Sequence, residues 1–445
     1  MRPTIPAVLP GEPDRSPPTG AKLWVLLGLR TIVVVVALSL SAPLWLLLGL
    51  SALRWGWPPI VPRAAQVWRY LTVLATSRPP HPGLSLAARL ALTLAVLQQL
   101  AFTPLRGLAW QLDELLYGSA LDAVPLVAPL FEISAGRSGS TQLARYLEQD
   151  PRLAAPSFLQ MVFPYRWLWR FAERHLASRI SRERVNGWFE RLLQPELRER
   201  HEGDPFRTDT FDAALYAAHL NHLSLTMGPA FAEEQFGFGA LNDHNRDQWE
   251  HDFVRIVDRI GRKRLLDAPG ARLFIKGHFL AAAPALARRW PDARFLTMVR
   301  DPARRLQSAI NYLRANPTDP MVGPPPWEWL AEAIVSSEAT YCEAEQAWYG
   351  AQNGPVRCVI PFDLYVRDLP AAMAQVYRVC FDAPPPEGVV YEHPPRRRHT
   401  YLLDRSLADL QIDEVALRAR LAGYLAWMAT LDRPDGSEAG GAPPS

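Results

Sequence analysis

Cysteine is scarce in this 445-residue chain: Cys342, Cys358 and Cys380 are the whole set. So few thiols, and an odd number of them, exclude a disulfide framework and fit a reducing compartment. There is no Cys-x-x-Cys and no zinc-type spacing, and His219 and His222, three apart, read as ordinary core or surface histidines. No metal is expected. Charge imbalance is equally small: Lys+Arg is 48 against Asp+Glu 45, a formal net charge of +3. That field is too weak to call for nucleic acid, though it leaves room for a local cationic pocket. No repeat of fixed period is visible. What the chain does have is apolar mass, 49% hydrophobic residues, enough for one large domain and an accessory region.

The apolar mass is uneven. Residues 1–20 hold six prolines and little periodicity, and are expected to be a disordered tail. The run Thr31 to Leu53 then carries no charge over 23 residues, where about 20 suffice to cross a bilayer core. Lys22 and Arg30 precede it, Arg54 and Arg63 follow, and Trp45, Trp55 and Trp57 suit an interface. Pro43 would kink this segment or fold it into a hairpin. A second apolar stretch, Leu90 to Leu105, holds Gln98 and Gln99 and is short for a span. It reads as an interfacial or core-docked helix or a further crossing. Residues 21–115 are therefore expected to form a membrane-associated helical region, 116–432 the main domain, and the Gly/Ser/Pro-rich 433–445 a disordered tail.

From about residue 125, strands alternate with helices, the signature of a parallel α/β sheet. Leu130 to Leu147 reads as strand, tight loop and helix, with Gly136 and Gly139 in the loop and Ser140-Thr141 opening the helix. Such a loop aims backbone N–H groups and the positive helix end at one spot, which binds phosphate. Arg137 adds a fixed charge; Ser138, Ser140 and Thr141 add hydroxyls. No lysine follows Gly139, so this is not a Walker A loop, and a third glycine is lacking for the dinucleotide fingerprint. A second unit follows: strand 272–276, helix 280–290, strand 293–299, then Arg300-Asp-Pro302 turning into a helix. Further on, strand 356–361 and helices near 164–193, 211–226, 246–261, 327–348, 369–381 and 413–430 complete the pattern. The aromatics of 158–171 are expected in the core or walling an acceptor pocket.

Gly136-Arg-Ser-Gly-Ser-Thr-Gln-Leu143 resembles the 5′-phosphosulfate loop of sulfotransferases that use 3′-phosphoadenosine 5′-phosphosulfate (PAPS), usually Pro-Arg/Lys-Ser-Gly-Thr-Thr-x-Leu. It departs at the proline and by one Ser for Thr. Arg300 and Ser308, eight apart after a strand, resemble the same family's 3′-phosphate site. Leu273-Phe-Ile-Lys-Gly-His278 resembles its Lys-Thr-His stretch, Pro361-Phe-Asp-Leu364 its late Tyr-Glu-Asp-Leu, and Arg398-His-Thr-Tyr-Leu402 a C-terminal segment of bacterial members. The resemblance covers roughly 125–430. It implies a sulfotransferase fold, a P-loop-like parallel β-sheet flanked by helices, preceded here by the membrane-helix region. PAPS would be co-substrate, without metal. Gly136, Arg137, Ser138, Gly139, Ser140, Thr141, Arg300, Ser308 and Arg398 would bind it. His278 would act as base, with Lys276 and Arg137 steadying charge. Gln160 stands where bacterial relatives carry a glutamate base, so a nucleotide-binding protein without catalysis remains open, as does, less favoured, a P-loop kinase or hydrolase. The acceptor would be a hydroxyl or amine on a small molecule, lipid or glycan, and the active domain would face the cytoplasm from the membrane.

Overall fold

The computed structural model describes residues 18–76, 85–192, 204–211, 243–315, 321–322, 327–393 and 405–431. Both expected tails, the helix near 211–226 and Arg398 therefore lie outside the described residues, apart from 18–20 and Phe211.

The chain starts with α1, Gly20–Trp55, which runs through Pro43 without a break. The hairpin considered there is not formed. Four residues of α1 are buried, Leu27, Val34, Ser41 and Leu48. They repeat every seventh position, a single seam of the kind one helix presents to a neighbour. Trp24, Leu29, Ile32, Val33, Val36, Leu40, Leu47 and Leu50 are exposed around it. α2 is Ala64–Thr76 and α3 is Leu86–Ala123, so the short segment expected at 90–105 belongs to a helix of 38 residues. Leu27 and Val34 cluster with Ala87, Ala91 and Leu94, while Leu48 lies against Gly107 and Ser51 bonds Gln111. The offset stays near 60 residues, so α1 and α3 run parallel and α2 carries the chain back between them. A side chain at Gly107 would come within 2.8 Å of Leu48, so glycine permits the contact. Both α1 and α3 are long and apolar enough to cross a membrane.

β1, Leu130–Glu132, follows α3 directly, and α4, Ser140–Leu147, leads to the two-residue β2, Leu153–Ala154. Next come α5 (Phe158–Val162), α6 (Arg166–His175) and α7 (Arg182–Leu192), so the helix expected over 164–193 is two helices. α8 (Asp243–Leu265), β3 (Arg272–Lys276), a 3-10 turn and α9 (Ala283–Arg289), β4 (Arg294–Val299), α10 (Pro302–Ala315), α11 (Trp327–Tyr349) and β5 (Val356–Pro361) follow. α12 (Phe362–Arg367), α13 (Leu369–Phe381), α14 (Glu414–Arg420) and α15 (Ala422–Leu431) end the described chain. The five strands order as β2-β3-β1-β4-β5, each pairing parallel. Phe131, Leu273, Phe274, Ile275, Phe295 and Leu296 are all fully buried, as strands covered by helices on both faces must be. From β1 the chain leaves towards β2 on one side, from β4 towards β5 on the other. The crevice this opens above the carboxyl ends of β1 and β4 is where such sheets bind ligands.

α3 runs on from its packing against α1 to contacts with the helices around the sheet without interruption. Asp113, wholly buried, accepts from the backbone N–H of Arg166 (2.6 Å) and Trp167 (2.9 Å) and pairs with Lys263 at 2.8 Å. Glu114 pairs with Arg259, and Arg63 grips Asp252 through both carboxylate oxygens. Trp167 donates to the Ala109 carbonyl, while Met161, Tyr165 and Trp169 are core residues. Within the aromatic stretch 158–171, Trp167 thus docks against α3, while Phe163 and Phe171 remain exposed.

Candidate active site

The loop after β1 turns through two left-handed residues, Arg137 (φ 67°) and Gly139 (φ 98°). At Gly139 a side chain would strike Met298 and Phe362 at 3.0 Å, so glycine is required twice over, by conformation and by space. Gly136 is not left-handed; the strained position falls on Arg137 instead, a cost a non-glycine residue bears only where its surroundings fix it. Gln142 donates back to the Gly139 carbonyl at 3.1 Å, starting α4. The N-terminal amides of this eight-residue helix then face the crevice.

Across the crevice the second predicted cluster meets the first. Arg137 Nε donates to Ser308 Oγ at 3.0 Å, and Arg300 donates to the Arg137 carbonyl at 2.9 Å. Aromatic faces hold both guanidinium groups: Tyr312 lies 5.1 Å from Arg137 and Phe362 4.5 Å from Arg300. Burial lowers the pKa of Arg300, and the positive fields of Arg137 and Arg304 lower it further. Cations pressed together in this way favour an anion between them. Ser138 Oγ and Arg300 Nε are buried, with no hydrogen-bond partner among the described residues. Such donors are costly unless a ligand or water satisfies them.

His278 sits beside the loop, its Nε2 3.7 Å from where a Gly136 side chain would start. Its Nδ1 donates to the Ser134 carbonyl at 2.7 Å, so in the neutral ring Nε2 carries the lone pair. No side-chain cap holds the 3-10 turn that follows, so His278 is not spent there. Lys276, at the end of β3, donates to Thr141 Oγ1 (3.0 Å), Thr210 Oγ1 (3.1 Å) and Asp209 Oδ1 (3.2 Å). Gln160 closes a capping box with Ser157 at the start of α5, and its amide is occupied there. Glu132, wholly buried, bonds the Ser134 hydroxyl and amide; burial pushes its carboxyl up to about 7.

The structure thus brings together Gly136, Arg137, Ser138, Gly139, Ser140, Thr141, Lys276, His278, Arg300 and Ser308. Asp209, Glu132, Ser134, Tyr312 and Phe362 join them, and the sequence pattern marked none of these as a site residue. Only the resemblance at Pro361-Phe-Asp-Leu364 pointed towards one of them, Phe362. Among the described residues no group of His, Cys, Asp and Glu could hold a metal ion.

The glycine-turned loop and the Arg300–Ser308 pair thus lie together where the five-stranded parallel sheet reverses its order. The model of the sulfotransferase family matches residues 129–381, more than half of the chain, and the chain belongs to that family. Its structure is similar to that of sulfotransferase STF9 from Mycobacterium avium, with TM-score 0.60 and 17% identity over 85% of this chain and 95% of that one. Sulfotransferase STF1 from Mycobacterium tuberculosis H37Rv gives TM-score 0.55 and 16% identity over 85% and 97%. No curated protein sequence matches the chain.

Proposed function

We propose that this sulfotransferase uses PAPS as donor, transfers the sulfuryl group to a hydroxyl or amine of an amphiphilic acceptor, and works while held at a membrane. The observation that carries the donor assignment is the meeting of Arg137 with Ser308 and Arg300 across the crevice. Gly136 to Thr141 hold the 5′-phosphosulfate with loop amides and hydroxyls, and Arg300 with Ser308 holds the 3′-phosphate. The donors that lack partners, Ser138 Oγ and Arg300 Nε, fit anionic oxygens there. PAPS supplies the sulfuryl group on an activated phosphate. Arg137 steadies charge growing on the bridging oxygen as that bond breaks, and His278 takes the acceptor proton at Nε2. Calorimetry tests the donor. Wild type should prefer PAPS over adenosine 5′-phosphosulfate, which lacks the 3′-phosphate. Arg300→Ala should erase that preference, losing roughly ten- to a hundredfold in affinity, about 1.5–3 kcal/mol for a charge-assisted pair. Equal wild-type affinity for both nucleotides removes the assignment.

A lipid or lipid-linked glycan is the acceptor class that agrees with α1, whose apolar side chains face outwards on nearly all sides. PAPS is made in the cytosol, so the catalytic domain lies on the cytoplasmic side. The intact protein should sediment with membranes and resist extraction without detergent. Recovery in the soluble fraction contradicts the membrane reading, and protease protection of residues 125–393 in right-side-out cells reports the side. A second reading, PAPS binding without transfer, is favoured by the engagement of Gln160 in its capping box. Incubating membranes with radiolabelled PAPS and lipid or glycan fractions separates the two.

A further inference from the structure

Lys276 is 1% exposed at the carboxyl end of β3. An ammonium has three hydrogens and no other polar capability. All three have protein acceptors: Thr141 Oγ1 at 3.0 Å, Thr210 Oγ1 at 3.1 Å and Asp209 Oδ1 at 3.2 Å. Glu132, which pairs with Lys276 in sheet register, directs its carboxyl to Ser134 instead. Lys276 therefore keeps no donor for a substrate oxygen. We propose that Lys276 acts through Thr141: held by Asp209, it fixes the Thr141 hydroxyl so that its hydrogen is presented to the phosphosulfate.

The geometry gives the direction. A threonine hydroxyl has one hydrogen and two lone pairs. With a lone pair of Oγ1 taken by the ammonium, the hydrogen turns away from Lys276. Thr141 stands in the first turn of α4, where the unpaired amides also point, so an anionic oxygen at that end is the acceptor its hydrogen meets. Donation from a cation polarises the hydroxyl and strengthens the bond it gives. Asp209 supplies the charge that a buried ammonium needs. Its loop cannot drift from α4, because Glu148 of the adjoining turn accepts from Thr208 N–H at 2.5 Å and from Arg207 at 3.0 Å. Arg145 of α4 returns a bond to the Thr208 carbonyl at 2.7 Å. Carboxylate, ammonium and hydroxyl thus move as one body with the phosphate loop. Lys276 and Asp209 are positioning residues; Thr141 is the contact.

This inference rests on the phosphosulfate reading of the loop, and a double-mutant cycle tests it apart from that reading. The probe is adenosine 3′,5′-bisphosphate, titrated calorimetrically into full-length protein in detergent. Thr141→Val and Lys276→Met should each weaken binding on the order of tenfold. The double variant should be no weaker than the worse single one, since both remove the same bond. Thr141→Ser, which keeps the hydroxyl, should bind like wild type and remain sensitive to Lys276→Met. Additive losses, roughly a hundredfold in the double variant, overturn the relay and put Lys276 in direct contact with the nucleotide. If Lys276→Met does not fold, the cycle of Asp209→Asn with Thr141→Val carries the same comparison. Wild type that fails to bind the bisphosphate removes the donor reading and the relay together.

Discussion

Two buried lysines, Lys263 and Lys276, solve one problem in two places. Lys263 is 0% exposed and pairs with Asp113 at 2.8 Å; Lys276 is 1% exposed and pairs with Asp209 at 3.2 Å. Each needs its carboxylate, because an ammonium out of water without a partner costs several kcal/mol. Their remaining contacts separate them. Lys263 donates to the Pro164 carbonyl and lies 4.0 Å from the centre of the Trp110 ring. Its contacts join α3 and α8 to the segment leading into α6, so it fastens the N-terminal apolar helices to the sheet-bearing part of the chain. Lys276 spends its other donors on two hydroxyls, one of which stands in the first turn of α4. The same ion pair is a fastener in one region and a positioning device in the other. The two should fail differently when broken.

The largest effect expected is in the crevice. His278→Ala should lose on the order of 10²–10⁴ in turnover, the range for removal of a general base, with donor affinity nearly unchanged. Steady-state assay with any acceptor the enzyme sulfates measures this. Near-wild-type turnover would pass the role elsewhere, and lost nucleotide binding would make His278 part of the cofactor site. At the joint the loss should be in folding instead. Asp113→Ala leaves Lys263 charged and unpaired in the core and should cost about 3–5 kcal/mol of stability, read from denaturant unfolding in detergent. A chain cut at residue 115 loses both Asp113 and Trp110 and should show the same defect. Protein that remains folded should keep its donor affinity; a selective loss of binding would erase the distinction between the two lysines.

The smallest effect concerns Glu132, and it asks whether Asp209 alone answers the charge of Lys276. Burial raises the Glu132 carboxyl from the usual 4.5 to about 7. The folded state then holds this proton more tightly than the unfolded chain does. The contribution is intact below pH 4.5 and is lost as pH rises through 7, about 3 kcal/mol in all. Glu132→Gln should flatten that part of the stability profile and exceed wild type in melting temperature at pH 8. A variant less stable than wild type at pH 8 would make Glu132 a second counter-ion of Lys276.

Much of this was legible from local pattern. The uncharged run 31–53 became a long apolar helix because nearly all its side chains are apolar and its few hydroxyls bond back within the helix, and its seam repeats at helical spacing. The tight loop after β1 was readable because the turn at Gly139 rests on that residue's own backbone freedom. The Arg300–Ser308 spacing was readable for a similar local reason, one strand end and about two turns of the helix that follows. The two-residue β2 was missed because it has no room for a pattern, and exists only where β3 offers it hydrogen bonds. The capping role of Gln160 shows only with Ser157 opposite it.

The sequence by itself determined the class of sheet, the tight loop after β1 and the apolar helices, because each depends on neighbours in the chain. Tertiary structure alone decided which distant groups meet. Arg137 finds Ser308 across 171 residues, and Asp209 finds Lys276 across 67. Those meetings depend on how parallel strands order and where the sheet reverses, which no local spacing encodes. It also decided that α3 is a structural part of the enzyme. An aspartate in an apolar-looking helix reads as a blemish until Lys263 and the amides of Arg166 and Trp167 surround it, and only packing brings them there.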